Sequence, residues 1–203
     1  MDVNPMDTVE SVNEDAASAN DRRIARLNTW VALTVAILAT FMAVCQIKDN
    51  NICQAMQQAQ ADKIDHWGFY QARNLREEVA KATLAEMTLQ SASAPASQQG
   101  AYAAAIKQYA DLVAKEDTKK KDVMAQAQQD QATYDALNIH DDQFDLSDAL
   151  LAISISLLAL TALTHKGWLY LMALVPTFFG LLMGCAGLFG WGLHPDALTK
   201  LLS

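Results

Sequence analysis

Cysteines are few in this sequence, and no spacing pairs them. The 203 residues include three cysteines, Cys45, Cys53 and Cys185, without a C-x-x-C motif. Cys45 and Cys185 lie inside apolar runs, where a thiol usually serves as a small apolar side chain. Cys53 lies in a polar stretch and is either a free thiol or, on an oxidising side of a membrane, a bridge between two protomers.

Catalytic motifs are absent as well, and basic residues are in deficit. No stretch matches a P-loop, a dinucleotide fingerprint, G-x-S-x-G or H-E-x-x-H. The net charge is −8 at pH 7, whereas nucleic-acid binding favours basic surfaces. No ionisable residue or histidine lies in the middle of an apolar run, which argues against transport by this chain alone and against a haem held in a membrane. The sequence therefore predicts no enzymatic activity, no cofactor and no nucleic-acid partner.

Three long runs, at 27–47, 146–164 and 165–193, are apolar on every face. A helix of about 20 residues crosses a hydrocarbon core roughly 30 Å thick. Trp30 lies near one end of the first run and Trp191 near one end of the third, as aromatic residues do at membrane interfaces. The runs predict three transmembrane helices in contact with lipid, the second and third joined by a tight turn.

On the loop side of the first run, Lys48 is balanced by Asp49. On the other side of the predicted membrane, unbalanced basic residues precede the first run and occupy the turn between the second and third. They are Arg22, Arg23, Arg26 and Lys166. Positive charge favours the cytoplasmic side. We therefore expect an acidic cytoplasmic tail at 1–26, with the loop at 48–145 and a short tail at 194–203 on the opposite side.

The loop at 48–145 is polar and rich in Gln and Ala, which favour helix. The stretch SASAPASQQG at 91–100 contains the Ser, Pro and Gly of a turn. The loop thus predicts two arms that fold back as an antiparallel coiled-coil hairpin. The expected fold class is all-α, with three transmembrane helices and this hairpin outside the membrane.

Each arm of the predicted hairpin has a candidate contact face. In the second arm, residues recur at spacings of four and three. They are Tyr102, Ile106, Tyr109, Val113, Glu116, Lys120, Val123, Ala127, Asp130, Tyr134 and Leu137. The first arm has a broader face, which comprises Ile64, Trp67, Tyr70, Leu75, Val79, Ala82 and Leu89. Polar helices of this kind usually need partners, so we expect the hairpin to pack against copies of itself or another protein.

Histidine and aspartate residues lie near one predicted membrane interface, before the second run and after the third. The weak candidates for a divalent metal are His140, Asp141, Asp145 and His194. The alternative is that Asp145 and Asp148 cap the second span while the other acids form a solvated turn. The alternative is favoured, because the two histidines have no ligand spacing that marks a metal site. For His66, a surface or seam position is favoured on the same ground.

Small residues recur on one face of each predicted span, which lets helix backbones approach closely in a membrane. They are Ala32, Ala36 and Thr40 in the first span, Ala152, Ser156 and Ala159 in the second, and Gly180, Gly184 and Gly187 in the third. These faces predict tight helix packing, within a protomer or between protomers.

Two stretches, HWGFYQARNLREE at 66–78 and HDDQFDLSDALLAISISLLALTAL at 140–163, are similar to a bacterial family of three-span membrane proteins with a coiled-coil loop, domain-of-unknown-function family 4337. The matching positions are Trp67, Tyr70, Gln71, Ala72, Arg73, His140, Asp141, Phe144 and Asp145. The resemblance covers about 30–200. It implies a bacterial inner membrane, so that the loop at 48–145 and the C-terminus are periplasmic, and it implies no activity.

Three functions agree with these observations. The preferred one is a non-catalytic scaffold that associates with itself or binds a partner through its hairpin and small-residue faces. The second is an accessory subunit of a larger membrane enzyme, such as a respiratory complex, docked by those faces. The third is a sensor whose His140 and His194 bind metal or titrate near neutral pH.

Overall fold

The computed structural model describes the backbone of residues 5–193 and the side chains of residues 20–193. Within the described residues there are three α-helices and no strand. The helices are α1 (Pro5–Ser93), α2 (Gln99–Thr164) and α3 (Gly167–Phe189). The all-α class expected from the sequence is confirmed, and the tail at 194–203 lies outside the described residues.

Two of the helices continue through boundaries at which the sequence predicted a change of segment. α1 passes 47–48 and α2 passes 145–146 without a break. Neither boundary contains proline or glycine, which end helices. The backbone hydrogen bonds therefore continue although the side chains change in polarity.

Short connections join the helices. Between α1 and α2, the side-chain amide of Gln99 donates to the carbonyls of Ser91 and Ala94, each at 3.1 Å. Between α2 and α3, His165 adopts a left-handed conformation with φ of 56°, which is uncommon for a residue other than glycine. This conformation lets the chain leave α2 and enter α3 within two residues.

The contacts within the chain define two compact units. The apolar unit comprises Met1–Ile52 and Ile139–Ser203, and the polar unit comprises Cys53–Asn138. All three helices contain a stretch long and apolar enough to cross a membrane, with mean hydropathies of 2.1, 2.0 and 2.0. The first two apolar runs are helical throughout, and the third is helical over Gly167–Phe189.

The interior of the apolar unit follows a seven-residue repeat. On α1 the buried side chains are Val31, Leu38, Cys45 and Ile52. On α2, buried side chains recur at alternating spacings of three and four residues. They are Phe144, Ser147, Leu151, Ser154, Leu158 and Thr161, at most 3% exposed. This spacing is the one by which long helices pack at small crossing angles.

The glycines of α3 lie against the other two helices of the apolar unit. A Cβ atom at Gly180 would lie 2.8 Å from Leu151 Cγ, and one at Gly184 would lie 2.6 Å from the Phe41 ring. The Ser147 hydroxyl donates to the Gly180 carbonyl at 2.8 Å. The glycine face of the third helix is thus occupied within the protomer.

Candidate functional site

The inner face of the polar unit is charged. On α1, Glu77 is 3% exposed, and on α2, Glu116 is 5% exposed. A buried carboxylate is costly unless cations and hydrogen bonds compensate it. Both carboxylates have such partners.

Arg73 and two lysines supply the compensation. The Arg73 guanidinium donates to both oxygens of Glu116, at 2.9 and 3.1 Å, which is the bidentate geometry that arginine favours. Glu77 lies 2.5 Å from the Lys120 ammonium and 2.6 Å from that of Lys81. Hydrogen bonds from Lys120 and then Lys81 lower the pKa of Glu77, and Arg73 lowers the pKa of Glu116. Both carboxylates are therefore held ionised.

Further polar pairs connect the same two helices. His66 Nδ1 lies 2.6 Å from the Asp130 carboxylate, and the Lys63 ammonium donates to the Gln131 side chain. His66 is thus a seam residue, as the sequence favoured. The two helices pair in an antiparallel sense, because Lys63 and His66 of α1 meet Gln131 and Asp130 of α2, whereas Arg73 and Glu77 meet the earlier residues Glu116 and Lys120.

The predicted face of the second arm is shielded along its whole length. All eleven positions are buried or half-buried, and they are Tyr102, Ile106, Tyr109, Val113, Glu116, Lys120, Val123, Ala127, Asp130, Tyr134 and Leu137. The 4-3 spacing therefore identified the shielded side of this arm, including its charged positions.

The predicted face of the first arm was largely wrong. Trp67 and Tyr70 are half-buried, and their rings make an edge-to-face contact with centroids 5.3 Å apart. The other five members are all exposed, with exposures of 62% for Ile64, 66% for Leu75, 58% for Val79 and 76% for Leu89, and Ala82 is exposed too. The reason is chemical: the inward side carries Lys63, His66, Arg73 and Glu77, so a search for apolar residues selects the outer side.

We name the exposed residues Ile64, Leu75, Val79, Ala82 and Leu89 the outer stripe. A shallow groove of about 340 Å³ adjoins it, where Leu75 and Val79 face Tyr109 and Leu112 of α2. A run of large exposed apolar side chains on one side of a polar helix pair marks a binding surface more than a solvated one. The outer stripe is the candidate interaction surface.

A hydrogen-bonded clamp holds the end of α3 in the apolar unit. The fully buried Gln143 amide donates to the carbonyls of Trp191 at 2.8 Å and Leu193 at 2.5 Å. Its carbonyl oxygen lies 3.0 Å from His140 Nδ1. Because that oxygen can only accept, Nδ1 of His140 carries the proton. The clamp was not found from the sequence, since a lone glutamine near a span has no motif.

Two carboxyl groups meet near this clamp. The Asp49 carboxyl interacts with that of Asp141, and the pKa of Asp49 is raised to about 6, first by burial and then by the charges of Asp141 and Asp145. In the described structure, Oδ1 of Asp49 is buried without a hydrogen-bond partner.

The four candidate metal ligands make different contacts or none that the structure describes. His140 belongs to the clamp, Asp141 contacts Asp49, Asp145 is exposed, and His194 lies outside the described residues. The metal hypothesis stays a prediction.

The small-residue faces also differ from one another. The glycine face of α3 packs within the protomer, whereas the faces of the other two spans point outward. The exposed members are Ala32, Ala36, Thr40, Ala152, Ser156 and Ala159. Helix packing on these two faces would have to come from another molecule.

The residues that carry the family resemblance mostly make structural contacts. Trp67, Tyr70 and Arg73 lie at the seam of the polar unit, while Gln71 is exposed. The Phe144 ring lies against Gly187, where a Cβ atom would be 2.7 Å from it.

A family described as "Domain of unknown function (DUF4337)" matches residues 27–190 of the chain. No curated protein and no solved structure matches the chain.

Proposed function

The chain belongs to the DUF4337 family, and on that premise we propose that it is a self-associating, non-catalytic scaffold of the bacterial inner membrane. The three apolar helices would anchor it. The polar unit would form an antiparallel coiled-coil hairpin in the periplasm, and its outer stripe would bind a second copy.

The membrane setting is supported by what the apolar unit leaves exposed. Large apolar side chains point outward on each helix, with exposures of 57% for Ile37, 53% for Ile153 and 63% for Phe178. Water would oppose such a surface, whereas lipid is its natural solvent. The cytoplasmic placement of the N-terminus follows from the basic residues beside the first span and in the α2–α3 turn. We expect the chain to stay in the membrane pellet after an alkaline wash and to require detergent for release.

The single observation that supports self-association is the polarity of the first arm: its charged side chains face inward, and the apolar outer stripe faces outward. A second copy suits this surface because the polar unit is nearly neutral. Its 9 Lys and Arg against 11 Asp and Glu give a net charge of −2 over 53–138, so two copies repel one another little. Each fully buried leucine or valine contributes about 1.5–3 kcal/mol, and the stripe presents several such residues per copy.

The test is the mass of the full chain in detergent, measured by light scattering. The variant L75E/V79E places two carboxylates on the outer stripe. We expect the oligomer to dissociate, with association weakened on the order of 100-fold. The control Q128E/Q129E adds the same charge at exposed polar positions of α2 and should leave the mass unchanged.

A monomeric wild-type chain, or an oligomer that L75E/V79E leaves intact, would overturn the proposal. Dissociation of the control as well would show that added charge, and not the stripe, is responsible. Circular dichroism of each variant checks that the helices are retained.

An accessory subunit of a larger membrane enzyme is the second candidate. The outward small-residue faces of the first two spans favour it, because such faces suit close contact with other membrane helices. Native mass spectrometry after mild extraction separates the two candidates: a foreign subunit in fixed ratio supports the second, and it should be lost in A36L/A152L.

A further inference from the structure

A cavity of about 740 Å³ opens in the apolar unit, between the first turn of the first span and the α2–α3 connection. Its volume lies in the roughly 300–1,000 Å³ range of small-molecule pockets. Three of its lining side chains are basic, namely Arg23, His165 and Lys166. None of the described residues that line it is acidic.

The basic groups are not committed to partners in the described structure. Neither Arg23 nor Lys166 forms an ion pair with any residue whose side chain is described. An arginine and a lysine whose charges have no local partner attract an anion, and a phosphate accepts hydrogen bonds from both.

The start of α3 adds backbone donors to the same cavity. Gly167 and Trp168 line it and are the first two residues of the helix. The N-cap residue, Lys166, makes no side-chain hydrogen bond to the first turn. Free amides and the helix dipole favour an anion at such an end. A Cβ atom at Gly167 would meet no atom within 4 Å, so the approach to these amides is open.

The rest of the lining is apolar and suits acyl chains. Ile24 and Leu27 of α1 face Leu171 of α3 across the cavity, and Trp168 is 56% exposed, as tryptophans are at the headgroup level. A small soluble anion uses only the basic part of this lining, whereas an anionic phospholipid uses both parts. Basic pockets between transmembrane helices on the cytoplasmic side bind such headgroups.

We propose that this cavity binds a phosphate group, and that the headgroup of an anionic phospholipid in the cytoplasmic leaflet presents it. Arg23 and Lys166 contact the phosphate oxygens, the first amides of α3 donate to them, and Trp168 lies at the level of the glycerol. The inference rests on the membrane setting of the proposed function but not on self-association.

The test is native mass spectrometry of the full chain, released from detergent with equal amounts of phosphatidylglycerol and phosphatidylcholine. We expect one phosphatidylglycerol to be retained per chain. The variant R23Q/K166Q should weaken this retention about 10- to 30-fold, the effect of two basic residues at a membrane surface. The control R22Q/R26Q loses the same charge on the same side of the membrane, outside the cavity lining, and should weaken retention clearly less than R23Q/K166Q does. The variant K166R should retain the lipid.

Equal loss in R23Q/K166Q and in the control would overturn the proposal, because general charge attraction would explain it. Retention by R23Q/K166Q would overturn it as well. Inorganic phosphate added in large excess should not displace the lipid, and displacement would show that a free anion is the ligand. The same spectra report the number of chains, so a failure of self-association is read separately, and circular dichroism checks the folding of each variant.

Discussion

The apolar and polar units use the same 4-3 spacing of shielded residues but differ in the chemistry of those shielded residues. The apolar unit has small and apolar residues inside, such as Ser147, Leu151 and Gly180, and large apolar residues outside. The polar unit has ion pairs inside and one apolar stripe outside. The difference agrees with the contacts proposed for each surface, since apolar side chains all around suit lipid, whereas one stripe among polar residues suits another protein.

The largest expected effect comes from a larger side chain at a tightly packed glycine of the apolar unit. Gly184→Leu forces a side chain into the Phe41 ring and the Ser147 hydroxyl, each less than 3 Å from the new Cβ atom. Overpacking of this kind costs about 1–3 kcal/mol, and we expect the melting temperature of the detergent-solubilised chain to fall by roughly 4–10 °C. Gly192→Ala, which meets no atom within 4 Å, is the control. An unchanged melting temperature in Gly184→Leu would refute the packing of α3.

Substitutions at Arg73 and Glu116 test whether the stability of the polar unit requires the buried charges themselves or only that no buried charge lacks a partner. Arg73→Met leaves the Glu116 carboxylate buried without its cation, so the melting temperature should fall, by roughly 5 °C. The double variant R73M/E116L removes both charges and should recover most of the loss, since apolar residues can replace a buried pair. A double variant as unstable as the sum of its parts would contradict this.

The clamp at the end of α3 should have a smaller effect. Gln143→Ala leaves the carbonyls of Trp191 and Leu193 without their side-chain donor, at a cost of about 1 kcal/mol because both residues are partly exposed. Amide hydrogen exchange should accelerate at the C-terminal turn of α3 and not in the polar unit. His140→Ala should show the same pattern more weakly. Acceleration spread evenly over both units would rule out a local clamp.

The smallest effect concerns Asp49, whose pKa is raised to about 6 by burial and by Asp141. A carboxyl whose folded pKa lies above its unfolded value stabilises the fold below the unfolded pKa, and this stability is lost as pH rises through the folded pKa. The apolar unit should therefore lose stability between about pH 4 and pH 6. Asp49→Asn should flatten this dependence when melting temperature is measured across that window. Exposed Asp65→Asn should not.

The sequence predicted well where spacing and chemistry agreed. The face of the second arm was found because its 4-3 series was followed through Glu116 and Lys120. The glycine face of α3 was found because small residues recur there at spacings of four and three, which lets other helices approach closely. The faces of the first two spans were read from Ala32, Ala36 and Ala152, although the inward sides are Val31, Leu38 and Ser147. A seven-residue repeat marks those inward sides, but it is hard to recognise in the sequence because the outward residues of these helices are apolar too.

The first arm could not be predicted from hydrophobicity, because its seam depends on partners that are remote in sequence. Arg73 is an inward residue only because Glu116 lies opposite, 43 positions later along the chain. The clamp could not be predicted either, since Gln143 donates to backbone carbonyls remote in sequence, which no side-chain pattern reveals. Single-sequence patterns report the periodicity of a helix, and they do not report which polar groups will meet.

The uninterrupted helices on either side of the 94–98 turn restrict how such a protein can change its length during evolution. Deletion of one residue from α1 between the turn and Arg73 would rotate every preceding position by about 100° relative to the pairing. Only a loss of seven residues, matched by seven from the other side of the turn, keeps Arg73 opposite Glu116. Homologues with shorter or longer arms should therefore differ by paired, seven-residue indels.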